Sequence, residues 1–194
     1  MKLAFRKGRG AVYEVLTVLA FALACGLAFP VQMTLGEENP NRYEASEEQI
    51  KAAFVYNFLK FVEWPRENVR TPIVLCAVAS STMADTLQAL NGKTIRNRPL
   101  KVIVHTRIPR SFSCDALFIS SGVGTRFARV IFSHVQSRPV LTISDRQGFV
   151  REGGIIELFR EKNRIRFKIN LRAATAVHLK ISSKLLKLAR EVNS

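Results

Sequence analysis

Residues 72–79, PIVLCAVA, form an unbroken apolar run after a charged link, the pattern of a central strand buried on both faces. A strand with no polar face needs cover above and below, so the chain has to place helices on two sides of a sheet. The segments that follow supply them. Residues 80–90 read as a helix with Met83, Leu87 and Leu90 on one side, closed by the Asn91-Gly92 turn. Residues 100–105 and 116–119 read as a second and a third strand. Residues 125–135 read as a helix burying Phe127, Val130, Ile131 and His134, and 139–143 as a fourth strand. Strand, helix, strand, strand, helix, strand argues for a largely parallel core.

From Gly153 the rhythm changes. Residues 154–159 and 165–169 are extended and joined across 160–164, and Ile165, Phe167 and Ile169 alternate with Arg166, Lys168 and Asn170. One wet face and one dry face predict an antiparallel hairpin at a sheet edge. Upstream, residues 46–65 carry the best-specified helix. Ser46 and Gln49 have capping-box spacing, Glu47 and Glu48 stand in the first turn, Lys60 is near the end, and Pro65 forbids continuation. Ile50, Phe54, Phe58 and Phe61 gather on one side and predict an aromatic stripe against the sheet. The expected fold is α/β: a single-domain mixed sheet of about six strands, parallel core plus a C-terminal antiparallel hairpin, flanked by helices on both faces.

The first residues have a different character. Lys2, Arg6, Lys7 and Arg9 precede an uncharged apolar stretch over 15–24, the layout of a signal peptide over 1–28. Small-residue cleavage sites precede Cys25 and Phe29. An uncleaved anchor is the alternative, because the apolar run over 15–31 is at the lower limit for crossing a bilayer. Cys25 admits a lipoprotein reading or that of an ordinary small residue in a leader. Residues 29–45 are expected to be a flexible lead-in, and 46–194 the folded domain. Export to an oxidising compartment permits a disulfide between Cys76 and Cys114, two buried free thiols being the other reading.

The chain carries +15 overall, and without residues 1–36 its 26 basic and 14 acidic residues still leave +12. That surface is suited to an acidic protein face, anionic lipid or an anionic ligand. A pI of 10.5 usually suggests nucleic acid, but an exported protein seldom meets its genome, so no nucleic-acid partner is expected. Catalysis has no visible constellation. His105, His134 and His178 show no metal-ligand spacing, and neither a metal nor a cofactor is expected. Residues 120–126, SSGVGTR, join a strand to a helix and could turn backbone N–H groups and Arg126 toward an anion, or simply cap the helix. Asp145 follows the fourth strand, where open parallel sheets carry functional groups, and an Asx-turn explains it equally.

Three blocks in this order, IKAAFVYNFLKFVEWP over 50–65, LTISDRQGFVREGG over 141–154 and INLRAATAVHLKISSKLLKLA over 169–189, resemble the YfiR-type family of small periplasmic regulators. The last block resembles that family's closing helix, and Ala174, Val177, Ile181, Leu185 and Leu188 have helical spacing. The resemblance implies a periplasmic dimer that binds and inhibits the periplasmic domain of an inner-membrane diguanylate cyclase, lowering cyclic di-GMP signalling and biofilm formation. It also implies an outer-membrane lipoprotein that sequesters the repressor. A ligand-binding or sensory module not linked to a cyclase is the alternative. Trp64, Arg66, Phe149, Arg151, Arg172 and His178 lie in or beside the matching blocks, a lining suited to an anionic or aromatic small molecule. The alternative is a core tryptophan with solvated arginines. Asp145, Phe149 and Arg151, with Phe149 at the tip of the loop, are the candidate partner interface. A second, local cysteine pair seen in some relatives has no counterpart here.

Overall fold

The structure, a computed structural model, describes residues 44–65, 71–106 and 113–193. The expected leader, Cys25 and most of the lead-in lie outside these residues, as does Arg66.

The chain opens with α1 (Glu47–Lys60). Its capping box is formed: Ser46 Oγ accepts from the Gln49 amide, and Gln49 Oε1 accepts from the Ser46 amide at 2.9 Å. The pair contributes about 1 kcal/mol. The predicted aromatic stripe meets the sheet through Phe54 and Phe58, whose rings lie 5.8 and 4.9 Å from that of Phe167, while Ile50 departs from it. Ala52, Val55, Phe58 and Leu59 are buried, Phe54 and Phe61 are half-buried, and Ile50 is 38% exposed. Apolar residues occur around much of this helix, so spacing alone cannot fix its rotation; the small Ala52 lets one side approach closely.

After β1 (Val62–Glu63) come β2 (Ile73–Val78), α2 (Ser81–Gln88), β3 (Thr94–Ile95), β4 (Arg98–Val104), β5 (Ala116–Ile119), α3 (Thr125–Ser133) and β6 (Leu141–Ser144). The C-terminal part contains β7 (Ile156–Glu161), β8 (Arg164–Asn170), α4 (Leu171–Ala176), β9 (Lys180–Ile181), α5 (Ser183–Leu186) and β10 (Glu191–Asn193). The main sheet runs β10-β8-β7-β6-β5-β2-β4-β3, eight strands where about six were expected. The extra two are the short edges β3 and β10. Its centre from β4 to β7 is parallel and β7–β8 is an antiparallel hairpin, as the alternation predicted. The hairpin strands extend further than expected, to a two-residue turn at Lys162-Asn163.

Alternation along β2 divides the interior into two cores. Leu75 and Ala77 face α1, α2 and the C-terminal segments, while Cys76 and Val78 face α3. On α3 the buried residues are Ala128, Ile131 and Phe132, followed by Val135, whereas Val130 and His134 are exposed, contrary to the predicted face. Ile131 belongs to both stripes, and the sheet takes the side that continues through Phe132 and Val135, with Phe127 packed at its edge.

The closing helix is also corrected. It breaks after Ala176, where His178 takes φ 60°. The Leu179 amide bonds to the Ala174 carbonyl and the His178 amide to Thr175, both at 2.9 Å, which is a Schellman ending with histidine at the usual glycine position. The chain then forms β9, which pairs antiparallel with β1. Leu188, which shares the helical spacing of the buried Ala174, Val177 and Leu185, is 66% exposed.

Candidate functional site

The β1–β9 ribbon builds the first candidate site. Its register, Val62 opposite Ile181 and Glu63 opposite Lys180, brings Trp64 and His178 to one place although they are far apart in sequence. A depression of about 710 Å3 there is lined by Trp64, Pro72, Cys114, Asp115, Arg138 and His178, among others. The Trp64 ring is mostly core, 8% exposed, and its Nε1–H donates to the Asp115 carbonyl at 2.8 Å. Asp115 in turn accepts from the Val74 amide through Oδ2 at 2.8 Å, so it ties the tryptophan to the start of β2. The Arg96 guanidinium is 5.9 Å from the indole and donates to the Val62 carbonyl at 2.6 Å. The groove therefore has an aromatic floor with histidine and arginine at its rim, which suits a flat or anionic group.

Of the six residues grouped by resemblance, the structure brings together two, Trp64 and His178. Arg172 is exposed on α4 and does not line this depression. Arg151 is exposed in a separate depression with Asp145, Gln147, Val150 and Glu157. Phe149 is withdrawn from the loop tip: it is 3% exposed and packs edge-on against Phe132 with centroids 5.2 Å apart. The loop turns back on itself, and the Gly154 amide donates to the Phe149 carbonyl at 2.9 Å, which folds the ring inward.

Asp145 is internal as well, with its side chain 6% exposed. Its Oδ2 pairs with Lys51 of α1 at 2.7 Å, and its Oδ1 accepts the Ser121 amide. Lys51 also meets Glu47 at 2.8 Å. Burial alone would lower the Lys51 ammonium, but its hydrogen bonds to Asp145 and Glu47 outweigh that and hold it above 10.5. The neighbouring Arg146 donates to the Val123 carbonyl at 2.8 Å and to Thr125 Oγ1 at 3.0 Å. The loop proposed to receive an anion is thus already held by the protein's own carboxylate and guanidinium. Arg126 is exposed beyond it, beside Phe127 and Val130.

Cys76 and Cys114 form the expected disulfide, with Cα atoms 5.8 Å apart. Both face α3, and Cys114 also lines the Trp64 groove. His105, set aside from the sequence because it shows no metal-ligand spacing, has its imidazole beside this bridge at the end of β4. Burial pushes that imidazole below the ordinary histidine value of 6.5. Nothing in the spacing of residues 76, 105 and 114 signals their meeting, because it depends on β4 and a segment leading into β5 flanking the same strand.

Together these features define a disulfide-bridged mixed α/β domain with a tryptophan–histidine groove. Among the described residues no helix is long and apolar enough to cross a membrane. A sequence model of the YfiR/HmsC-like family, DUF4154, matches residues 48–190, and the chain belongs to that family. No curated protein sequence matches it.

Proposed function

We propose that this chain is a periplasmic regulatory protein, without catalytic activity of its own, that binds the periplasmic domain of an inner-membrane diguanylate cyclase. Binding inhibits the cyclase, lowering cyclic di-GMP and biofilm formation. The observation that carries this reading is the family match over residues 48–190. The reading extends to action as a homodimer and to control by an outer-membrane lipoprotein, and it takes residues 1–28 as the export signal.

With Asp145 and Phe149 turned inward, what this loop and the neighbouring hairpin leave to such a partner is polar and basic. Arg151 is exposed on the loop, and Arg160, Lys162, Arg164 and Arg166 are exposed along the β7–β8 hairpin. That composition suits an acidic partner face, with charge speeding and orienting the encounter. The test is deletion of the gene together with affinity capture of the tagged protein from membranes. Raised cyclic di-GMP and a co-purifying cyclase are the expected results. Unchanged cyclic di-GMP with no cyclase in the captured fraction overturns the reading.

The groove favours a second reading, a small-molecule-binding or sensory module not linked to a cyclase. Its aromatic floor and His178–Arg138 rim suit a nucleotide or an aromatic amino acid. Calorimetric titration with nucleotides and with tryptophan tests it, and an absence of heat in every titration removes it.

A further inference from the structure

The ligand-capable atoms of Cys76, His105 and Cys114, two sulfurs and an imidazole nitrogen, all lie within 4.8 Å of one another. Cys76 comes from the middle of β2, His105 from the end of β4 on one side of it, and Cys114 from the lead into β5 on the other. Val78, Leu117 and Ile119 belong to the same core cluster as the two cysteines. While the bridge is closed its sulfurs are committed to each other. Opened, the same three side chains offer two thiolates and one imidazole, a donor set for a thiophilic d10 cation.

The geometry points to a zinc(II) site at Cys76, His105 and Cys114 that exists only when the disulfide is reduced, so that the pair alternates between cystine and metal thiolate. The first step is exchange with a dithiol reductant: the sulfur–sulfur bond accepts two electrons and two protons, giving two thiols, and the dithiol leaves as its own disulfide. Zinc then displaces the two thiol protons, and the imidazole nitrogen donates its lone pair. Bond lengths of about 2.3 Å to sulfur and 2.0 Å to nitrogen place the donors roughly 3.5 to 3.8 Å apart in a tetrahedron. That is wider than a disulfide and narrower than the present outer limit of 4.8 Å. Two thiolates and a divalent cation sum to zero charge, which suits so apolar a surround. The fourth position falls to water, or to a ligand entering by the groove that Cys114 lines.

The test uses the full chain, reduced with a phosphine, freed of reductant under anaerobic conditions and titrated with cobalt(II) as a spectroscopic surrogate. One equivalent is expected, with thiolate-to-cobalt charge transfer and tetrahedral d–d bands that zinc abolishes stoichiometrically. Unreduced protein should show neither. His105→Ala, whose fold is checked in the bridged state, should weaken binding by about tenfold or more. If reduction costs the chain its near-ultraviolet circular dichroism, one equivalent of zinc should restore it. The proposal is overturned if the reduced chain takes no cobalt and zinc restores nothing, if the unreduced chain binds as well, or if His105→Ala binds undiminished.

Discussion

Replacing Gly154 by alanine should be among the costliest small changes in this domain, and a change at Phe149 should relieve it. A Cβ built on Gly154 overlaps the Cε1, Cδ1 and Cζ atoms of the Phe149 ring, and that ring is held on another side by Phe132 at a centroid distance of 5.2 Å. The ring cannot retreat without opening the contact with Phe132, so Gly154→Ala is worth about 3 kcal/mol, the upper range for overpacking a filled core. Phe149→Ala removes a side chain 3% exposed and should cost about 3 kcal/mol by itself. In the double variant the clash has gone and the new methyl occupies part of the vacated space. The expected total is then about 3 kcal/mol, whereas independent effects would sum to about 6. Urea unfolding followed by circular dichroism gives each value, a loss of 3 kcal/mol moving the midpoint by roughly 1.5 M at a slope near 2 kcal/mol/M. Additive losses refute the reasoning. So does a Phe149→Ala variant within about 0.5 kcal/mol of the parent, the behaviour of an exposed interface residue.

Cutting the Cys76–Cys114 bridge frees a loop with a sequence separation of 38 and should cost about 4 kcal/mol in the chain-entropy treatment, read as a large fall in melting temperature on adding reductant under metal-free conditions; an unchanged melting temperature would contradict it. Asp145→Asn leaves Lys51 without its buried counter-ion and should cost about 3 kcal/mol in urea unfolding. Because Lys51 titrates above its unfolded value of 10.5, the pair's contribution is full below that pH and disappears as pH rises through the folded value, so parent and variant stabilities should converge in strong alkali and stay apart at neutrality. His178→Gly relieves a left-handed backbone position at some cost in unfolded-chain entropy, and should leave stability unchanged or raise it by up to about 1 kcal/mol while weakening any ligand of the Trp64 groove. A loss above 1 kcal/mol in thermal unfolding would mean that the imidazole itself holds the turn.

How much could be read from the residues varies with the range of the interaction that decides each feature. The start of α1 was legible because the reciprocal bonds of Ser46 and Gln49 span three residues. The run over 72–79 identified a central strand, since a backbone with apolar side chains on both sides has few other places to go. Rotation of α3 was not legible, and that of α1 only in part, because more than one side of each helix is apolar and the sheet selects between them. The break at His178 was hidden for another reason: the sequence keeps a helical period from Ala174 through Leu185, and a histidine in place of glycine gives no stop signal. In the site, the cystine could be anticipated from two strands and an oxidising compartment. The approach of His105 to it, and the inward turn of Asp145 onto Lys51, depend on pairings between segments remote in the chain.

The ribbon of β1 and β9 has a bearing on how the domain is made. Its partners Val62 and Ile181 are separated by most of the folded part of the chain, so the loop it closes is among the longest available to this domain. A nascent or translocating polypeptide cannot complete that pairing until residue 181 has emerged, and contacts of such long sequence range form slowly. Trp64 beside one arm and His178 beside the other therefore cannot meet before the C-terminal part of the chain is made. Until then this place lacks its imidazole side, and a ligand that needs both Trp64 and His178 binds only a chain whose synthesis has passed that point.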